Sequence, residues 1–261
     1  MPAALKPWPG IWRAAWSRRE ACGGALFPAF VLLVGALTVA APYFVSNNIA
    51  ATYLATVWDP ECSLDRSFPV VNWMIAPYAA FYLLFPATLA AAPRDDRGRM
   101  ELVLGLQALS WTTWACVAVF LLLPAEVDLR GQLTTHWVDT PPNDFEQLLF
   151  ALVHDSDAPW NAWPSLHIVH SYMLVRLMTR WALRSRRHRV RAMLGLALIW
   201  SEWSMLCVSV LATKQHYLFD LLTGAVVAHV AWVVFARALK RLDEQDIGAL
   251  ARDAGWVTPR R

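Results

Sequence analysis

The chain has 261 residues, 57% of them hydrophobic and only 16% charged, with 15 tryptophans and a formal net charge of +3. A soluble domain averages about 45–50% apolar and about 25% charged residues. This balance, with a mean hydropathy of +0.36, excludes a disordered chain, a secreted disulfide scaffold and a nucleic-acid-binding module. The composition is that of an integral membrane protein.

At the start of the chain Trp8, Trp12 and Trp16 recur every fourth residue among Lys6, Arg13, Arg18 and Arg19. That spacing predicts a short helix lying in the membrane interface, or simple aromatic anchoring. A hydrocarbon core of about 30 Å takes about 20 apolar residues, and six segments meet or approach that length: 24–45, 70–92, 102–124, 165–183, 192–212 and 218–239. The first is too long for a signal-peptide core and lacks a small-residue cleavage site, so it reads as a retained helix. The fourth is the weakest, being interrupted by His167, His170, Arg176 and Arg180. The expected fold is therefore all-α: a polytopic bundle of six transmembrane helices over 24–239, with a cytoplasmic or interfacial segment 1–23 and a cytoplasmic tail 240–261. The longest connection, 125–164, exceeds the length of an ordinary structureless loop. The four cysteines, Cys22, Cys62, Cys116 and Cys207, share no metal-ligand spacing.

Basic residues divide unevenly between the two sides that six spans define. One side collects Lys6, Arg13, Arg18 and Arg19, then Arg94, Arg97 and Arg99, then Arg184, Arg186, Arg187, Arg189 and Arg191, and finally Lys240, Arg241, Arg252, Arg260 and Arg261. The other holds only Arg66, Arg130 and Lys214. The positive-inside rule places both termini in the cytoplasm. Arg176 and Arg180, one turn apart, read as side chains snorkelling to the inner interface.

The sparse outer side carries the chemistry. Pro164-Ser165-Leu166-His167 stands where the long connection meets the fourth apolar segment, and Pro followed by Ser is a helix-start signal. Such a terminus, with its free N–H groups, is a natural anion site. Before the last segment, His216 and Asp220 are four residues apart and share a helical face. A carboxylate in an apolar helix must find a partner. Asp220 accepting the Nδ1–H of His216 would leave Nε2 free as a nucleophile. Arg130 and Lys214 flank these two segments. His170 reads as a buried interhelical hydrogen-bonding residue.

Together, Pro164-Ser165-Leu166-His167, Ser209, His216-Tyr217, Asp220 and Gly224 resemble the type 2 phosphatidic acid phosphatase superfamily. The likeness is nearer to the branch of inositol phosphorylceramide and sphingomyelin synthases and their bacterial relatives, whose second motif also reads Ser-Leu-His. Asn161-Ala162-Trp163, residues 68–78, and Phe120-Leu121-Leu122-Leu123-Pro124 before Arg130 resemble that branch too. The superfamily's first motif, a Lys followed by Arg-Pro, is missing here, and Val210 stands where an Arg normally follows Ser209.

The resemblance implies a lipid phosphatase acting through a phosphohistidine at the outer helix ends. His216 would be the nucleophile, Asp220 its orienter, and His167 the general acid and then base. Lys214, Arg130 and Ser165 would hold the phosphate, and Asn161 and Trp160 would shape the substrate mouth. No metal or other cofactor is required. His136, Asp139, His154, Asp155 and Asp157 read as decoration of a solvated loop rather than as a metal site. The expected partners are a lipid phosphate and the bilayer, with no nucleic acid, and the oligomeric state stays open. A phosphotransferase that passes the head group to a lipid hydroxyl would use the same residues. A proton-coupled transporter is the alternative of another class, but it would place its ionisable residues near mid-membrane.

Overall fold

The structure, a computed structural model, describes residues 6–184 and 189–257; Arg186, Arg187, Arg260 and Arg261 of the basic clusters lie outside them. The regular structure of the described residues is all helical, with no strand among them. Eleven helices are numbered here in chain order: α1 (Arg13–Ser17), α2 (Leu26–Tyr53), α3 (Ser63–Ser67), α4 (Ile75–Ala91), α5 (Asp96–Leu122), α6 (Arg130–Asp139), α7 (Asp144–Ser156), α8 (Leu166–Arg184), α9 (Arg189–Ala212), α10 (Leu218–Asp243) and α11 (Ile247–Asp253).

Five helices are long and apolar enough to cross a membrane: α2, Asn72–Ala91 (which contains α4), α5, α9 and α10. The expected six is thus five on that measure. The segment that falls short is α8, whose polar and charged residues lower its hydropathy. Its place in the bundle explains them. α8 packs against α4, α5, α9 and α10, and most of its 19 residues are buried. A helix walled in by protein can carry polar groups that find partners there. His170 Nε2 lies 2.8 Å from Thr113 Oγ1 of α5, the interhelical hydrogen bond expected of it. Arg180 and Arg184 converge on the fully buried Glu101 of α5, and Arg180 also pairs with Asp243 of α10. The Arg176 guanidinium lies over the rings of Tyr172 and Trp232.

The aromatic stripe near the start of the chain also departs from expectation. α1 is only five residues long, and Trp12 and Trp16 are buried rather than presented to an interface. Trp16 meets Trp256 with centroids 5.1 Å apart, and both Trp12 and Trp16 pack on Phe27.

α2 runs eight residues past the expected boundary at Val45 and contains one π turn, Ala36–Ala40. The polar residues Ser46 and Asn47 on that extension are buried. The long connection 125–164 holds α6 and α7. α7 begins with a capping box in which Asn143 and Glu146 each bond the other's backbone N–H.

Candidate functional site

The loop 213–217 between α9 and α10 carries the proposed nucleophile. α9 ends at Ala212, and Lys214 takes a left-handed conformation, φ 58°. This turns the chain so that the backbone N–H groups of Gln215 and His216 both donate to the Val210 carbonyl. α10 then begins behind Tyr217, with Asp220 in its first turn. Asp220 Oδ2 accepts the Tyr217 N–H at 2.8 Å and lies 3.2 Å from His216 Nδ1. One carboxylate oxygen therefore caps the helix and orients the imidazole.

A carboxylate at Nδ1 of His216 favours the tautomer with its proton there and its lone pair on Nε2. That atom lies 3.2 Å from Ser165 Oγ and 3.2 Å from His167 Nδ1. Ser165, just before α8, and His167, on its first turn, come to it because α8 and α10 approach closely at Gly224. A Cβ on Gly224 would meet the Ser165 carbonyl at 2.8 Å, and the Ser165 N–H donates to the Asp220 carbonyl. The structure thus gathers His216, Asp220, His167 and Ser165, four of the residues singled out in the sequence, in one buried cluster. The ring of Tyr78 packs on His167 with its hydroxyl 3.5 Å from Nδ1, and Phe81 packs against the same imidazole.

Lys214 and Arg130 lie beside this cluster, not in it. The Lys214 ammonium donates to the Asp65 and Phe68 carbonyls at 2.7 and 2.6 Å. Burial pushes that ammonium below its ordinary pKa, and the nearby Asp65 carboxylate opposes the shift. Arg130 donates to the Asp157 carbonyl and to Gln215 Oε1, and its buried Nε has no hydrogen-bond partner among the described residues. Gln215 in turn donates to His154 Nε2 and to the Thr213 carbonyl. Burial, followed by the Arg130 charge, pushes His154 down to about 4, so it serves as a neutral acceptor.

The two residues expected at a substrate mouth both make contacts with α2. Asn161 is buried, and its amide donates to Ser46 Oγ and the Tyr43 carbonyl of α2. The Trp160 carbonyl accepts from Asn47. Asp157 is buried as well, accepting from the Tyr43 hydroxyl at 2.7 Å; burial pushes its carboxyl above the usual range, and the Tyr43 bond opposes this. Among the described residues, no three His, Cys, Asp or Glu side chains converge as metal ligands.

The sequence reading missed Asp65. Its carboxylate accepts the Cys62 N–H at 2.7 Å and the Leu218 N–H of α10 at 2.6 Å, while its carbonyl receives Lys214. The spacing Cys62-Ser63-Leu64-Asp65 has the form of a helix-start box, and that was the available signal. The chain matches no protein family, no curated protein and no solved structure with which it was compared.

Proposed function

We propose that this chain is a membrane-embedded enzyme that removes phosphate from lipid phosphate monoesters or diphosphates through a phosphohistidine. The observation that carries this reading is the single imidazole of His216, held at Nδ1 by a buried carboxylate and faced at Nε2 by a second histidine and a serine hydroxyl. The resemblance of the same residues to the type 2 phosphatidic acid phosphatases agrees with it. In this scheme α8 is the sixth span and both termini are cytoplasmic. The histidine cluster then lies at the outer ends of the helices.

His216 Nε2 attacks phosphorus; the bond to the lipid oxygen breaks, and its electron pair leaves with that oxygen, which takes a proton from His167. Asp220 stabilises the imidazolium that forms. In the second step His167 takes a proton from water as its oxygen attacks phosphorus, and the phosphorus–nitrogen pair returns to Nε2. The Ser165 hydroxyl and the free Nε of Arg130 are donors for the nonbridging oxygens. A lipid hydroxyl entering in place of water would make the same machinery a phosphotransferase.

The test is phosphate release by the purified protein from sphingoid, glycerol and polyprenyl phosphates, with intact-protein mass spectrometry of the quenched reaction. A phosphoryl adduct on His216, absent in His216→Ala, is expected. Release that persists unchanged in His216→Ala, or no release from any of the three classes, overturns the reading.

A further inference from the structure

An apolar cavity of about 310 Å³ opens beside the histidine cluster, within the usual size range of small-molecule sites. His167 lies at one end of it, and Leu177, ten residues further along α8, lies near the other. At 1.5 Å per residue the slot is about 15 Å deep, half of a hydrocarbon core of about 30 Å and so one leaflet's share. Its walls come from α2, α4, α5 and α8, with Phe235 of α10, and they are almost wholly hydrocarbon. On the α2 side, small residues and the π turn keep it open: Gly35, Ala36, Val39 and Ala40 all line it. A π turn inside an α-helix is a local distortion often found at functional sites. The exposed lining residues, Leu32, Ala36 and Phe44 of α2 and Tyr82 of α4, belong to two helices only. The slot therefore opens sideways between α2 and α4, at the height of the bilayer.

We propose that this slot binds one hydrocarbon chain of a lipid alcohol, with the alcohol oxygen at His167. The inference rests on the assignment of His167 as the group that serves the leaving or accepting oxygen. Three observations combine: a lining that is hydrocarbon apart from His167, His170, Tyr82 and two hydroxyls already bonded elsewhere, Tyr43 to Asp157 and Thr88 to the Leu84 carbonyl, a depth that matches one leaflet, and a lateral opening that admits a chain without passage through water. The position on the His167 side, away from Asp220, assigns the slot to the alcohol rather than to the phosphate.

The test photolabels the full-length protein, reconstituted in bilayer discs, with a long-chain alcohol bearing a diazirine at the chain end. Adducts concentrated at Leu106, Leu174 and Leu177, displaced by unlabelled dodecanol, are expected. Ala40→Trp should cut them by about ten-fold or more, the worth of only two buried methylenes. Ala36→Phe narrows the slot lower down and serves if the Trp variant fails to fold. Adducts equally strong at the exposed Leu198 and Val226, or undiminished in both variants, overturn the proposal. With nitrophenyl phosphate, which has no tail, the slot variants should turn over as wild type does, while dodecyl phosphate turnover falls about ten-fold. Equal loss for both esters also overturns it. Slot labelling in a protein that cleaves neither ester refutes the hydrolase and retains the lipid-alcohol site.

Discussion

Asp220 Oδ2 stands 3.2 Å from His216 Nδ1 and 2.8 Å from the Tyr217 backbone nitrogen, so the cap of a helix and the partner of the imidazole are one atom. Asp220→Asn retains the side-chain volume but loses the charge that fixes the Nδ1–H tautomer. Turnover should fall by about 10²–10⁴, with the helical circular dichroism unchanged. His216→Ala should reduce phosphate release to background. Near-wild-type rates in Asp220→Asn would remove the carboxylate from the mechanism.

Lys214 is both a clamp and a strained residue. Its φ of 58° is uncommon for a residue with a Cβ and costs on the order of 1–3 kcal/mol; its ammonium secures two carbonyls of the 65–68 segment. Lys214→Met removes the clamp and keeps the strain, leaving one buried and one half-buried acceptor without their donor. We expect a lower Tm in detergent and weaker vanadate inhibition. Lys214→Arg should recover part of both. Wild-type Tm and inhibition in the Met variant would show that the clamp contributes nothing.

Gly224 sets the distance between α8 and α10. A methyl group there would press on backbone, the Ser165 carbonyl at 2.8 Å, rather than on a mobile side chain. Gly224→Ala should therefore destabilise by about 1–3 kcal/mol and move Ser165 away from His216. Loss of turnover larger than the loss of folded protein, measured in the same preparation, is the expected result.

Acid should loosen the loop around Gln215. His154 has its pKa depressed from 6.5 to about 4 in the folded protein, so the unfolded chain takes up the proton first as pH falls. The stability due to neutral His154 is complete above pH 6.5 and is lost as pH falls toward 4. Asp157, whose carboxyl burial pushes up, works in the opposite sense. His154→Gln keeps an acceptor for Gln215 without titrating, and should flatten the acid limb of Tm against pH. An unchanged limb would assign it to other groups.

Two native cysteines report orientation. Cys62 and Cys22 are both exposed; Cys62 caps the helix that holds Asp65 at the histidine end, and Cys22 adjoins Gly23, whose carbonyl accepts from Arg94 at the other end. In intact cells an impermeant thiol reagent should label a variant retaining only Cys62 and spare one retaining only Cys22. The reverse pattern would invert the topology.

Local rules carried part of this protein without any tertiary information. Apolar run length marked the helices, because the length a bilayer requires is a property of the segment alone. The i, i+4 spacing of His216 and Asp220 and the Pro-Ser start of α8 are likewise local; His216 and Asp220 do meet, but His216 stands in the loop before α10 rather than on its helical face. Three matters were decided only by the tertiary structure. α8 tolerates arginines and histidines because four helices enclose it, which no window along its own sequence can reveal. Trp12 and Trp16 repeat like an interfacial anchor, but they are buried because Trp256, far off in the chain, covers them. Lys214, scarce and close to His216 in sequence, points to the carbonyls of Asp65 and Phe68, because a left-handed turn reverses the chain between Lys214 and His216. Proximity in sequence sets which groups can meet, whereas the direction of each side chain depends on the backbone turn and on partners contributed by distant helices.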